Sequence, residues 1–310
     1  MIPASRAWRW RVKGRYVALT TAALAALLAV VPSIAVTGTQ QTDETTRQII
    51  AEEFLKKRPA PAKPSAVAKK PAYRLVNPSA SPKATAATMD LGVTLWRLRP
   101  SQSSDEGARL LVQDSAELSA ERLDAGAPLN IGDRVRLTIE SPAAGFLYVI
   151  DREINADGTK SEGYLIFPTL RTRNGDNAVR PGRLIDIPDQ LDRPNYFSVR
   201  PTRPGQAGEL LTILVTPKPL DSLTIGDSPM VLAADVIAAW EKSWGAPVQQ
   251  FALEGGVKKL WTREEQAASG DVTRLLKQDD PPPQTIFKVA AKKDAPILVN
   301  VRLPYATKTN

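Results

Sequence analysis

Neither histidine nor cysteine occurs in this 310-residue chain. Without histidine there is no Ser-His-Asp triad and no imidazole metal ligand. Without cysteine there is no thiol nucleophile, zinc-thiolate site or disulfide. The S-x-x-K, G-x-S-x-G, Walker A and G-x-G-x-x-G patterns are missing as well. Carboxylate chemistry survives this elimination, because paired acids leave no short signature.

The nearest approach to a metal motif is "EINADGTKSEGY", residues 153–164. Counted from Glu153, an EF-hand loop would place ligands at Asn155 and Asp157 and its glycine at Gly158. The bidentate glutamate of position 12 is replaced by Tyr164. The flanking runs "GFLYVID" and "EGYLIF" are aromatic and β-branched, so the segment reads as a hairpin with an Asp157-Gly158 turn. No metal or cofactor is expected.

The net charge of +8 is unevenly spread. Residues 1–15 carry about +5 and residues 56–83 about +8 with no acid, which leaves residues 90–310 at about −2. Basicity confined to the tails argues against a nucleic-acid-binding domain, whose footprint belongs on a folded face.

Residues 16–36, "YVALTTAALAALLAVVPSIAV", are uncharged and follow a cationic stretch. They read as an export signal. Ser33 and Ala35 suit cleavage after Ala35, while the length also suits an uncleaved membrane anchor. Export to the periplasm or beyond is expected either way, with membrane association through residues 16–36 if the segment is retained. Residues 37–88 are rich in proline, alanine and lysine and read as a disordered basic tether. Within it, "DETTRQIIAEEFLKK" (43–57) has the charge order of one short helix.

From residue 90 the pattern is short strands and turns. Strands are expected at 91–99, 134–140, 145–151, 163–167, 183–187, 196–200 and 210–216. This spacing indicates an antiparallel sandwich or barrel. Alternation in "RVRLTIE" places Val135, Leu137 and Ile139 on one face and Arg134, Arg136 and Thr138 on a face read as solvated. A helix is expected to open at Ser228-Pro229 and stop at Gly245, with a core-facing stripe that includes Val231, Ile237 and Trp240. A second follows a capping box from Thr262 to Glu265. "QTIFKVAA" and "PILVNVRLPY" read as closing strands. Residues 89–310 are thus one β-sandwich domain (core 90–220) with a helical and strand extension at 221–310.

Gly132-Asp133 before a strand, "GFLYV" (145–149), "IFP" (166–168), the glycine-to-proline segment 182–188 and Gly208-Glu209 occur in an order that resembles the domain-of-unknown-function 4384 family of bacterial proteins. The resemblance covers roughly residues 90–220. It implies an immunoglobulin-like antiparallel β-sandwich, mainly β with one or two added helices here, acting as an exported accessory domain without catalytic residues. The expected function is a non-catalytic binding or structural module of the cell envelope, engaging an envelope protein or polymer. Recognition is assigned to two loops, through Arg171, Arg173, Asn174 and Asp176 and through Asn155 and Asp157. The alternative is a carboxylate-dependent envelope hydrolase, for which Asp151 with Glu153, or Asp186 with Asp189, are candidate pairs.

Overall fold

Apolar residues recur at every second position along most of the strands, and pairing such strands produces two faces to cover. The computed structural model describes residues 49–61, 88–105, 109–111, 117–253, 255–270, 273–292 and 294–306. Residues 1–36, where the export signal is expected, and most of 37–88 lie outside the described residues. No helix among the described residues is long and apolar enough to cross a membrane.

Two antiparallel sheets face each other. One contains β1 (Met89–Pro100), β2 (Arg109–Leu111), β3 (Glu117–Leu123), β4 (Arg134–Glu140), β8 (Leu184–Ile187), β9 (Phe197–Ser198), β12 (Val248–Ala252) and β13 (Thr285–Val289). The other contains β5 (Gly145–Asn155), β6 (Gly163–Phe167), β7 (Ala178–Val179), β10 (Gln206–Thr216), β11 (Met230–Leu232) and β14 (Ile297–Pro304). Leu91, Val93, Leu95, Val135, Leu137 and Ile139 of the first sheet meet Leu147, Val149, Leu211, Ile213, Val299 and Val301 of the second in one buried core. This is a β-sandwich. The closing strands join one sheet each, β13 beside β1 and β14 beside β10, so the C-terminal segment completes the sandwich.

The face of β4 expected to be solvated is buried. Its side-chain partition is as expected, yet Arg136, Thr138 and Glu140 are nearly inaccessible. The segment running through Trp261 and helix α3 (Arg263–Gly270) supplies part of the cover, with Trp261 tilted against Trp96 at 6.0 Å. Arg136 donates to the Asn195 carbonyl at 3.0 Å and pairs with Asp186 at 3.4 Å. Asp186 also accepts from the Thr138 hydroxyl at 2.6 Å. The expected capping box forms, with the Thr262 amide on Glu265 at 3.0 Å and the Glu265 amide on Thr262 at 3.2 Å; Glu265 also pairs with Arg122.

Helix α1 (49–56) covers another part of this outer face and changes the reading of residues 37–88. Ile50, Ala51 and Phe54 pack against Phe251, Leu253 and Ile286, and Phe54 is 0% exposed. Gly92 permits this approach: a Cβ there would lie 2.6 Å from Pro283 Cγ and 2.9 Å from Phe54 Cζ. Just beyond the helix, Arg58 forks onto Glu140, both bonds at 2.7 Å, and donates to the Asp280 and Pro281 carbonyls at 3.0 Å. Residues 49–61 are therefore part of the sandwich rather than a disordered tether. The rest of the expected tether, 37–48 and 62–87, lies outside the described residues.

The helix expected from Ser228 starts later. Met230 to Leu232 instead pair with β6 as an edge strand, a place that tolerates the preceding Pro229. Helix α2 (Ala234–Trp244) then buries Ile237 against Tyr148, Ile150, Leu214 and Leu298 of the second sheet, with Trp240 and Trp244 stacked at 5.7 Å beside it.

Removing Arg58 strands a buried carboxylate at Glu140. Arg58→Ala is expected to lower the unfolding free energy by about 3 kcal/mol in urea titrations followed by tryptophan fluorescence, and to open residues 49–58 to protease. An unchanged midpoint would contradict the docking of this segment.

Candidate functional site

At one end of the sandwich the core-facing columns change from apolar to acidic. On β5 the inward positions are Leu147, Val149, Asp151 and Glu153; on β10 they are Val215, Ile213, Leu211 and Glu209. Cross-strand register puts Asp151 opposite Leu211 and Glu153 opposite Glu209. Asp151 and Glu209 are thus diagonal neighbours, a relation that spaces side-chain origins by about 7 Å in antiparallel pairs. A register shift between Gln206 and Gly208 bends β10 beside them.

These two acids sit at the polar end of a cavity of about 220 Å³ between the sheets. Leu95, Val135, Leu137, Leu211 and Leu303 form its apolar wall, and Phe197, Arg200, Thr202 and Tyr305 also line it. Phe197 remains 39% exposed.

The three carboxylates are treated differently. Glu153 lies toward solvent, pairs with Arg203, whose Nε donates at 2.5 Å, and accepts from the Thr202 hydroxyl. Glu209 accepts from Gln206 at 2.7 Å and from the Tyr305 hydroxyl at 2.5 Å, both on Oε1. Its Oε2 is buried and accepts no hydrogen bond among the described residues, and the same is true of Asp151 Oδ1. Burial, reinforced by the charge of Glu153, raises the Asp151 carboxyl to about 7. Burial, reinforced by the charge of Asp151, raises Glu209 to about 8. The Tyr305 hydroxyl is also raised, chiefly by burial and then by its bond to Glu209. Such a pair can hold a proton at neutral pH, receive a cation, or act as acid and base.

Of the acid pairs named from sequence, Asp151 and Glu153 lie at this end, with Asp151 lining the cavity. Asp186 and Asp189 serve the fold instead. Asp186 is 0% exposed beneath Arg136, and Asp189 accepts from the Leu191 amide at 3.0 Å. The two recognition loops occupy other positions. Asp157 closes the expected hairpin turn, accepting from the Thr159 amide at 2.9 Å and from its hydroxyl at 2.7 Å, with Gly158 at φ 85°. Those bonds lower the Asp157 carboxyl below its ordinary value. Asn155 donates to the Thr159 hydroxyl at 2.9 Å. In the other loop Arg171 and Asn174 are exposed. Arg173 turns inward to the Ser269 carbonyl at 3.4 Å, and Asp176 pairs with Arg183 at 2.7 Å. Neither Glu209, which the sequence offers only within the Gly208-Glu209 pattern, nor Tyr305 is among the site residues expected from sequence, although Glu209 shares the parity of Leu211, Ile213 and Val215, so an acid there breaks an inward-facing apolar column.

Comparison with known proteins adds nothing to this geometry: no family model, no curated protein and no solved structure matches the chain.

The raised acids set a pH dependence. In the folded state both carboxyls keep their protons to higher pH than in the unfolded chain, where an aspartate or glutamate ionises near pH 4. Their contribution to stability is complete below that point and is lost as pH rises through about 7 for Asp151 and about 8 for Glu209. The melting temperature is expected to fall from pH 5 to pH 8, and the double variant Asp151→Asn with Glu209→Gln to flatten that slope. Thermal unfolding monitored by circular dichroism checks both; parallel slopes in the two proteins would count against the assignment.

Proposed function

We propose that this chain is a non-catalytic binding module of the bacterial cell envelope. In this reading residues 1–36 export it, as a cleaved signal or a retained anchor, and an immunoglobulin-like sandwich presents its acid-bearing end to an envelope protein or polymer. The observation that carries the binding role is the cavity between the sheets. Its wall comes from both layers, so the sandwich holds it rigidly, and its two acids have oxygens that no group among the described residues satisfies. Helices α1, α2 and α3 pack on the sandwich's other surfaces. The exposed loop residues Arg171 and Asn174, and the 155–159 turn, offer further contacts. The ordered motifs resembling the 4384 family support the envelope role, and the near-neutral balance of residues 90–310 speaks against nucleic acid.

A carboxylate-dependent hydrolase is a second reading, favoured by one observation: Asp151 and Glu209 line the same cavity with carboxyls raised into the neutral range, as a general acid requires. Hydrolysis of envelope glycan by the purified chain, abolished by Asp151→Asn, would replace the binding reading with this one.

Cell fractionation with in-cell crosslinking and mass spectrometry tests the proposal. It is expected to place the protein outside the cytoplasm with one dominant envelope partner, crosslinked through residues 145–215. Scattered, substoichiometric crosslinks would remove the protein partner, and cytoplasmic residence would remove the envelope role.

A further inference from the structure

We propose that the cavity between the sheets binds a primary ammonium group carried on a short apolar chain. The proposal deepens the binding reading by naming the chemistry of the ligand, and rests on it only in treating the cavity as a ligand site.

The argument begins with what is unsatisfied. Asp151 Oδ1 and Glu209 Oε2 are both shut off from solvent and accept no hydrogen bond from the described residues. A buried acceptor without a donor is costly, and a buried charge without a partner more so. Elsewhere this fold meets that cost with arginine: Arg58 on Glu140, Arg122 on Glu265, Arg136 on Asp186. At the cavity, Arg203 is engaged by the outlying Glu153, and the donors Gln206 and Tyr305 both go to the other oxygen of Glu209. The two free oxygens therefore call for a donor from outside, and two neighbouring acids call for a positive one.

Shape narrows the class. A cavity of about 220 Å³ corresponds to about seven water-sized shares of volume, enough for an ammonium head and a chain of five or six carbons. The walls beyond the acids are leucine and valine, and the half-exposed Phe197 continues them toward solvent. A bare divalent ion is a poor fit because calcium needs six to eight oxygens, and no group of three or more acids suited to a metal occurs among the described residues. An ammonium needs two or three acceptors, and its alkyl stem matches the wall. The shared chemistry has two sources, a free alkylamine or the lysine side chain of a partner chain.

Seating a cation beside both acids favours their ionised forms. Binding should thus release protons near neutral pH and tighten as pH rises, the reverse of the trend in fold stability. The charged or titratable groups that face the pair are Glu153, already matched by Arg203, the hydroxyl of Tyr305, and the lining arginines Arg136 and Arg200. Arg136 is held on the far face of its strand by Asp186 and Asn195.

The test is isothermal titration of the full chain with 1-aminohexane at pH 6 and pH 8, in two buffers of different ionisation enthalpy. Binding is expected to be at least tenfold tighter at pH 8, with proton release. Hexan-1-ol should bind at least tenfold more weakly than the amine. Asp151→Asn and Glu209→Gln should each weaken amine binding at least tenfold while raising the melting temperature at pH 8, so loss of binding is separable from loss of fold. A lysine with blocked amino and carboxyl termini is the second arm: binding comparable to the amine points to a partner's side chain, and binding of the amine alone to a free metabolite. Equal affinity for the alcohol, indifference to both substitutions, or no binding of either amine at pH 8 overturns the proposal. Amine binding together with scattered crosslinks would keep this site and remove the envelope-partner reading; one dominant partner without amine binding would do the reverse.

Discussion

Burial of both faces of the larger sheet is the constraint from which most of this structure follows. A strand with one face in a core and the other in water needs no partners for its outward polar groups. Here the outward groups of β1 and β4 include Asp90, Thr94, Arg136, Thr138 and Glu140, all shut off from solvent. Each must find its partner within the chain. That requirement explains why α1, α3 and the run from Lys277 to Pro283 lie where they do. Together they bring Arg58 to Glu140, Glu265 to Arg122, and four carbonyl oxygens to the two arginines Arg58 and Arg122. The triple proline is useful in this setting because it has no amide hydrogens to satisfy while its carbonyls remain free to accept.

The inner end of the sandwich shows the opposite condition. Glu209 and Asp151 occupy positions that the alternation of β10 and β5 reserves for apolar side chains, and each has a buried oxygen without a donor among the described residues. A chain selected for stability alone would place leucine there. Residues that break the local rule without a compensating partner mark the place where stability has been given up for something else.

Much of the strand framework was legible because it rests on period-two alternation and turn chemistry, which are local. The hairpin at Asp157-Gly158 and the capping box at Thr262 are local in the same sense, and both formed as expected. What was not legible depended on a second layer. "RVRLTIE" announces which side chains share a face but not whether a helix will later cover the polar one. Strand β3, "ELSAERL", carries acids and an arginine that disguise it until Arg122 finds Glu265 and Glu121 finds Arg99. The docking of α1 turned on Phe54 and Gly92, 38 positions apart, which no window of sequence brings together. The acid pocket was half visible: Asp151 was named for its charge, whereas Glu209 becomes informative only when read by parity against Leu211 and Ile213.

The position of the last two strands governs when this molecule can exist as a folded object. Met89 of β1 pairs with Val289 of β13, about 200 residues later, and β10 waits for β14 on its outer edge. The first sheet is complete only once β13 has been made, and the second only once β14 has. A nascent chain of this kind leaves both sheets unclosed until residues 285–304 have been made, and loop-closure entropy delays the docking of its distant strands. If the chain is exported as proposed, that delay would help to keep the polypeptide threadable in transit.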